Sequence, residues 1–162
     1  MEDKKIEISF TLAKAHELNK QEQQLVNNAK SALKLAYAPY SGFLVGASLL
    51  LENGEIVNGS NQENVAYPSG LCAERVALFY AGAKFPDIKI KTIAVSVFSK
   101  SFQVKEVISP CGACRQVMAE YEDKQGEDIK VILHAPNDDV LIANTVEDLL
   151  PFMFKSPLLK NY

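Results

Sequence analysis

Apolar residues along the chain first alternate, then recur at helical spacing. Ile6, Ile8, Phe10 and Leu12 stand two apart within the mixed, polar stretch 1–19, which fits a short strand or an arm. Over 20–37 the period lengthens. Leu25, Ala29, Ala32, Leu33 and Ala36 fall on one helical stripe, and the loop Ala38-Pro39-Tyr40-Ser41-Gly42 closes it. Residues 43–51 form an apolar run with strand character. Asn53-Gly54 predicts a two-residue hairpin turn, and 56–60 is the returning strand. The polar knot Asn61-Gln62-Glu63-Asn64 follows, and Tyr67-Pro68-Ser69-Gly70 leads into a helix over 71–81. Val76, Leu78, Phe79 and Tyr80 are its bulk, and Gly82 is its expected stop. The run 92–98, with Ile93, Ala94, Val95 and Val97, reads as a buried strand. Pro110 suits the first position of a further helix, which carries Val117, Met118 and Tyr121 and stops near Gly126. Strands are expected over 129–133 and 140–143, and Thr145-Val146-Glu147-Asp148 has the start of a last helix. The order α-ββ-α-β-α-ββ-α predicts a mixed sheet covered by helices. With no repeat, low-complexity tract or linker, a single domain is expected over 1–162, with 1–19 as an N-terminal arm and 155–162 as a C-terminal tail.

Composition narrows the class. A chain of 162 residues with 48% hydrophobic and 23% charged residues is an ordinary globular protein, large enough to bury a core without staples. No apolar run approaches the roughly 20 residues of a membrane span. Met1-Glu2-Asp3-Lys4-Lys5 lacks the apolar stretch of a secretion signal, so a cytoplasmic location is expected. The net charge of -3 and the lack of a Lys/Arg run argue against nucleic acid as a partner.

The chemistry gathers in two stretches, Leu71-Cys72-Ala73-Glu74-Arg75 and Ser109-Pro110-Cys111-Gly112-Ala113-Cys114-Arg115-Gln116. They contain all three cysteines, an odd number that argues against a disulfide framework. Cys111 and Cys114 can hold one soft metal ion through thiolates, with Cys72 as a third ligand. Three protein ligands leave a tetrahedral position open, the mark of a catalytic zinc site, with one Zn²⁺ per chain. Both motifs fall at predicted helix starts, where backbone N–H groups and the helix dipole favour thiolates. Arg75 and Arg115 are candidates to draw charge off the sulfurs. Glu74, beside the open position, can accept and return a proton. A redox Cys-x-x-Cys pair would leave Cys72 and Glu74 without a task. A zinc-stabilised interaction module would need a fourth protein ligand, and neither His16 nor His134 stands at ligand spacing from a cysteine.

Cys-Ala-Glu followed by Pro-Cys-x-x-Cys resembles the zinc-dependent nucleoside and nucleobase deaminases. With Cys72 as first ligand, and with Pro39-Tyr40-Ser41-x-Phe43-x-Val45-Gly46-Ala47, Asn61-x-Glu63-Asn64, Tyr67-Pro68 and Leu149-Leu150-Pro151-x-x-Phe154 in order, the chain is similar to the small homotetrameric cytidine deaminases. That resemblance, from about 29 to 154, implies an α/β fold, a three-layer α/β/α domain with a mixed, roughly five-stranded sheet. It implies hydrolytic deamination of cytidine and 2′-deoxycytidine in pyrimidine salvage, by addition of water at ring C4. Glu74 would deliver a proton to N3 and then one to the departing amine. By the same resemblance Cys72, Cys111 and Cys114 match the zinc ligands, and Arg75 the residue that hydrogen-bonds their thiolates. Asn61 and Glu63 match the pair on the ribose 3′-hydroxyl, and Phe43 the aromatic that packs against the nucleoside. The Ala73 N–H and the Ser109 carbonyl match contacts to the pyrimidine edge. Phe154 matches an aromatic that reaches a neighbouring subunit's site in a homotetramer with shared sites. Read without the family, Asn61 and Glu63 fit a solvated turn, Phe43 fits core, and Phe154 fits packing in an apolar tail with Phe152, Met153, Leu158 and Leu159. Leu44, Gln62 and Val65-Ala66 depart from the family pattern and bear on substrate preference. A deaminase of a nucleoside-like antibiotic, or of cytosine in a polynucleotide, shares the metal motifs.

Overall fold

A computed structural model of the chain describes residues 1–155. Its strands are β1 (Thr11–Lys14), β2 (Phe43–Leu51), β3 (Ile56–Ser60), β4 (Ile90–Ser99), β5 (Lys130–His134) and β6 (Asp139–Ala143), and its α-helices are α1 (Lys20–Ala32), α2 (Ala73–Lys84) and α3 (Gly112–Gln125). The strands form one sheet in the order β1-β6-β5-β4-β2-β3. Only the β4–β5 pair is parallel, because α3 carries the chain back across the sheet between them; the other neighbours run antiparallel.

The central strands are apolar at nearly every position because both faces of the sheet are covered. Side chains alternate between the faces. Leu49, Leu51, Ile93, Val95, Val131 and Leu133 pack against Ala77, Leu78, Ala81, Met118 and Ala119 of α2 and α3. The intervening Leu50, Ala94 and Ile132 meet Leu25, Val26 and Ala29 of α1 on the other side. The result is the expected three-layer α/β/α arrangement of a mixed sheet. Asn19 and Glu22 form a reciprocal capping box that fixes where α1 begins.

The sheet has a sixth strand where about five were expected. β1 pairs with β6 from Thr11↔Ile142 to Lys14↔Asp139, and Ala13 packs onto the α1 face. Ile6, Ile8 and Phe10 lie before that pairing and are exposed, so their alternation is not a strand pattern. The β2–β3 turn is three residues long. Gly54 N–H donates to Leu51 O and Leu51 N–H to Glu55 O, and Gly54 alone of the turn has positive φ, at 85°. A two-residue type I′ turn needs positive φ at both central residues, which Asn53 does not adopt.

Three helix ends also differ from expectation. α2 runs through Gly82 to Lys84. Gly82 serves close packing instead: a Cβ there would lie 2.3 Å from the Tyr121 hydroxyl. α1 gives way to a 3-10 turn at Leu33–Leu35, short of the residue 37 expected. The last helix shrinks to a single 3-10 turn, Glu147–Leu149. Pro151 disfavours helical backbone at the residue before it, and Leu150 sits at φ -146°, ψ 70°. Pro110 precedes the cap of α3 instead of opening the helix, while Gly126 ends α3 as expected. The apolar tail residues Leu158 and Leu159 lie outside the described residues.

Candidate metal centre and cleft

Two helix starts meet at one point because α2 and α3 share a face of the sheet. Gly59 brings the first turn of α2 down onto β3. A Cβ at that position would lie 2.5 Å from Ala73 O and 2.7 Å from Ala77 N. The cap residue of α2 is Cys72 and that of α3 is Cys111, each with extended backbone and neither using its side chain to cap its helix. Their sulfurs are therefore free to face each other, at the positive ends of two helix dipoles.

The sulfurs of Cys72 and Cys111 are 3.9 Å apart, and those of Cys111 and Cys114 are 3.5 Å apart. All three lie within 4.8 Å of one another. Tetrahedral zinc with Zn–S bonds of about 2.3 Å sets its sulfurs about 3.8 Å apart, so the cluster has the span of a zinc site. The distances are far beyond a disulfide bond, and the cysteines are free. Among the described residues no fourth Cys, His, Asp or Glu joins the group.

The electrostatics of the trio suit a cation. The Cys72 thiol is drawn down to about 5, first by a hydrogen bond with Cys114 and then, against burial, by Arg75. Cys114 is pushed up by that same bond and by its own burial. Without a cation the charge falls to Cys72, and Cys114 holds its proton. Arg75 Nη2 donates to Cys72 Sγ at 3.8 Å. Arg115 turns elsewhere and donates through Nη1 to Leu149 O at 2.8 Å. It follows Cys114 directly, so it points about 100° away around the helix.

Glu74 is the second residue of α2 and only 4% exposed. Its Oε2 is buried without a hydrogen-bond partner. Burial pushes its carboxyl up from the ordinary carboxylate value. An orphaned buried carboxylate oxygen beside three sulfurs fits a site that receives both a cation and a polar ligand.

These residues open onto a cleft of about 750 Å³ that takes in Phe43, Asn61, Glu63, Cys72, Glu74 and Ser109. Phe43 begins β2 and stacks on Phe102, with ring centroids 6.0 Å apart and planes 10° from parallel. The Asn61 amide is held by β2, accepting from Val45 N–H at 2.8 Å and donating to Phe43 O at 2.9 Å. The Glu63 carboxylate accepts from Tyr40 N–H at 2.9 Å, from Ser41 N–H at 3.3 Å and from the Ser41 hydroxyl. The Ser41 bond chiefly holds its pKa below the ordinary value. Ala73 is fully buried at the first position of α2, where a backbone N–H has no partner within the helix.

Phe154 stands apart. It is 74% exposed and does not line the cleft of its own chain. Sequence reasoning gave no task to Ser41, Phe102 or Gln116. Ser41 joins Glu63 to the start of β2, since its hydroxyl also accepts from Phe43 N–H at 3.0 Å. Phe102 was detectable only as a lone large apolar residue in Lys100-Ser101-Phe102-Gln103.

Known proteins are similar to this chain in sequence and in fold. A family model described as the cytidine and deoxycytidylate deaminase zinc-binding region matches residues 19–126. A cytidine deaminase of Halalkalibacterium halodurans is 41% identical over 132 residues, which is 82% of this chain and 92% of that one. A probable cytidine deaminase of Dictyostelium discoideum is 34% identical over 139 residues, 85% of this chain and 86% of that one. The crystal structure of a cytidine deaminase from Burkholderia pseudomallei superposes with a TM-score of 0.69 at 39% identity, covering 81% of this chain and 97% of that one.

Proposed function

The chain belongs to the family defined by the cytidine and deoxycytidylate deaminase zinc-binding region, and from that premise we propose that it hydrolyses cytidine and 2′-deoxycytidine to uridine and 2′-deoxyuridine, releasing ammonia. The observation that carries this reading is the trio of sulfurs at zinc spacing with the buried, unpartnered Glu74 carboxylate beside it. Cys72, Cys111 and Cys114 hold the metal. Bound zinc supplies Lewis acidity that makes water a nucleophile at neutral pH.

The remaining work falls to the chain's own side chains. Glu74 takes the proton released as water adds to C4 and passes it to N3; it then takes the proton of the new C4 hydroxyl and delivers it to the amine, so that ammonia leaves as the C4 carbonyl forms. A carboxyl whose proton affinity is raised by burial is suited to holding each proton between pick-up and delivery. Arg75 offsets part of the thiolate charge through its contact with Cys72. Asn61 and Glu63 bind the ribose 3′-hydroxyl, a group that cytidine and 2′-deoxycytidine share. Phe43 packs against the nucleoside, braced by Phe102. The Ala73 N–H and the Ser109 carbonyl read the pyrimidine edge.

We read the chain as one domain that works as a homotetramer with shared active sites, in pyrimidine salvage in the cytoplasm. Support for assembly comes from exposed aromatic surface: Phe79, Tyr80, Phe152 and Phe154 are 45%, 52%, 85% and 74% exposed, and such surface marks contact sites. Phe154 then stacks on the base bound in a neighbour's cleft. Among the described residues no helix is long and apolar enough to cross a membrane.

Ultraviolet absorbance tests the substrate class. Purified protein of known zinc content is incubated separately with cytidine, 2′-deoxycytidine, cytosine and single-stranded DNA. The two nucleosides should be converted and the other two left unchanged. Conversion of DNA cytosine without conversion of the free nucleosides would overturn the assignment.

A further inference from the structure

α3 carries two loads. Its N-terminal end presents Cys111 and Cys114, and its flank holds the returning C-terminal segment of the chain. Arg115 donates to Leu149 O at 2.8 Å, and Lys155 pairs with Asp123 at 2.6 Å. Between these contacts, Gln116 makes a two-point contact with a single residue. Its Nε2 donates to Phe154 O at 2.9 Å, and its Oε1 accepts from Phe154 N–H at 2.9 Å. One planar amide thus satisfies both backbone groups of residue 154, much as a neighbouring strand would, and fixes its direction as well as its place.

The clamped residue makes no use of that clamp for packing within its own chain. Met153, just before it, packs against the core under α2 and α3. Phe154 itself stays 74% exposed. Hydrogen bonds open to water add little stability, so the clamp's effect is placement. We propose that Gln116 is a positioning residue: it holds the backbone of Phe154 at a set place on the helix that bears Cys111 and Cys114, so that the ring is presented from a fixed anchor to the cleft of a neighbouring copy. The inference rests on the reading of Phe154 as a base-stacking residue of a shared site. Fixing the backbone beforehand spares that part of the ordering cost on substrate binding, so the effect belongs in KM and not in the chemical step.

The test is a double-mutant cycle on the zinc-loaded full chain with cytidine. Gln116→Met keeps the length of the side chain and removes both hydrogen bonds. Gln116→Glu keeps the acceptor and sets a carboxylate oxygen against Phe154 O. Phe154→Ala should raise KM about tenfold, within the range of one base–aromatic stack. Each Gln116 variant should raise KM roughly three- to tenfold, with kcat, zinc content, melting temperature and native mass unchanged. Gln116→Met combined with Phe154→Ala should raise KM no further than Phe154→Ala alone. If Phe154→Ala raises KM while both Gln116 variants leave it unchanged, or if the two effects multiply, Gln116 does not act through Phe154 and the inference fails by itself. If Phe154→Ala leaves KM unchanged, the shared-site reading fails first and takes the inference with it.

Discussion

At the scale of single residues, the proposed chemistry depends most on Glu74. Its carboxyl is buried and keeps one oxygen without a partner, a costly arrangement that a site for proton transfer accounts for. Glu74→Gln should retain zinc and melting temperature while kcat falls about 10²–10⁴-fold, the usual contribution of a positioned acid–base group; steady-state kinetics beside metal analysis checks it, and near-full activity would remove Glu74 from the proton path. This residue was legible because its position in Cys-Ala-Glu, before Pro-Cys-x-x-Cys, needs no fold to interpret. Gln116 and Ser41 were not, since each acts on groups far away in sequence: Gln116 on Phe154, and Ser41 on Glu63. Arg115 was read as a sulfur partner from adjacency alone, and helical rotation turns it to Leu149 instead.

At the scale of elements, the site is a junction of two helix caps. Cys72 and Cys111 end their segments of extended chain and start α2 and α3, so a metal ion held between them ties the two helices together. Cys111→Ala should lose stoichiometric zinc and lower the melting temperature by on the order of 5–10 °C; calorimetry and metal analysis read both, and full zinc at unchanged melting temperature would refute the three-cysteine centre. A second tie lies at the far end of these strands. Glu127, just before β5, pairs with Lys89 and with Lys91 at 2.8 Å, the latter on β4. Lys89 first and Lys91 second hold its pKa down at about 2, below the ordinary 4.5. Unfolded chain therefore takes up this proton first as pH falls, so the stabilisation is complete above about 4.5, fades as pH falls through about 2 and is gone only below that. Glu127→Gln should lower the melting temperature slightly at pH 7, as exposed pairs do, and the difference from the parent should shrink steadily as pH falls from about 4.5 towards 2. A difference that stays the same size over that range would assign the effect to something other than the charge. Strand and helix identities were legible because two-sided burial writes continuous apolar runs and one-sided burial writes a helical stripe. Boundaries were less so. Gly82 looks like a stop in sequence, yet it is a contact for Tyr121, and β1 exists through its pairing with β6 rather than through its own pattern.

At the scale of the whole molecule, the layered sheet holds the sulfurs, Glu74 and the cleft on one side, and it leaves Phe154 pinned outside. A site completed by a neighbour follows from that placement if the chain assembles as proposed. The sequence carried the family through its motifs, but the separation of Phe154 from its own cleft is a property of the folded chain. The measurement that tests the central claim most directly is a zinc titration. Metal-free protein receives zinc in steps while bound metal and the absorbance loss of cytidine are followed together. Turnover should rise in proportion to bound zinc and level off at one ion per chain. Fully zinc-loaded protein that leaves cytidine and 2′-deoxycytidine untouched, or metal-free protein that converts them at the full rate, would contradict the account.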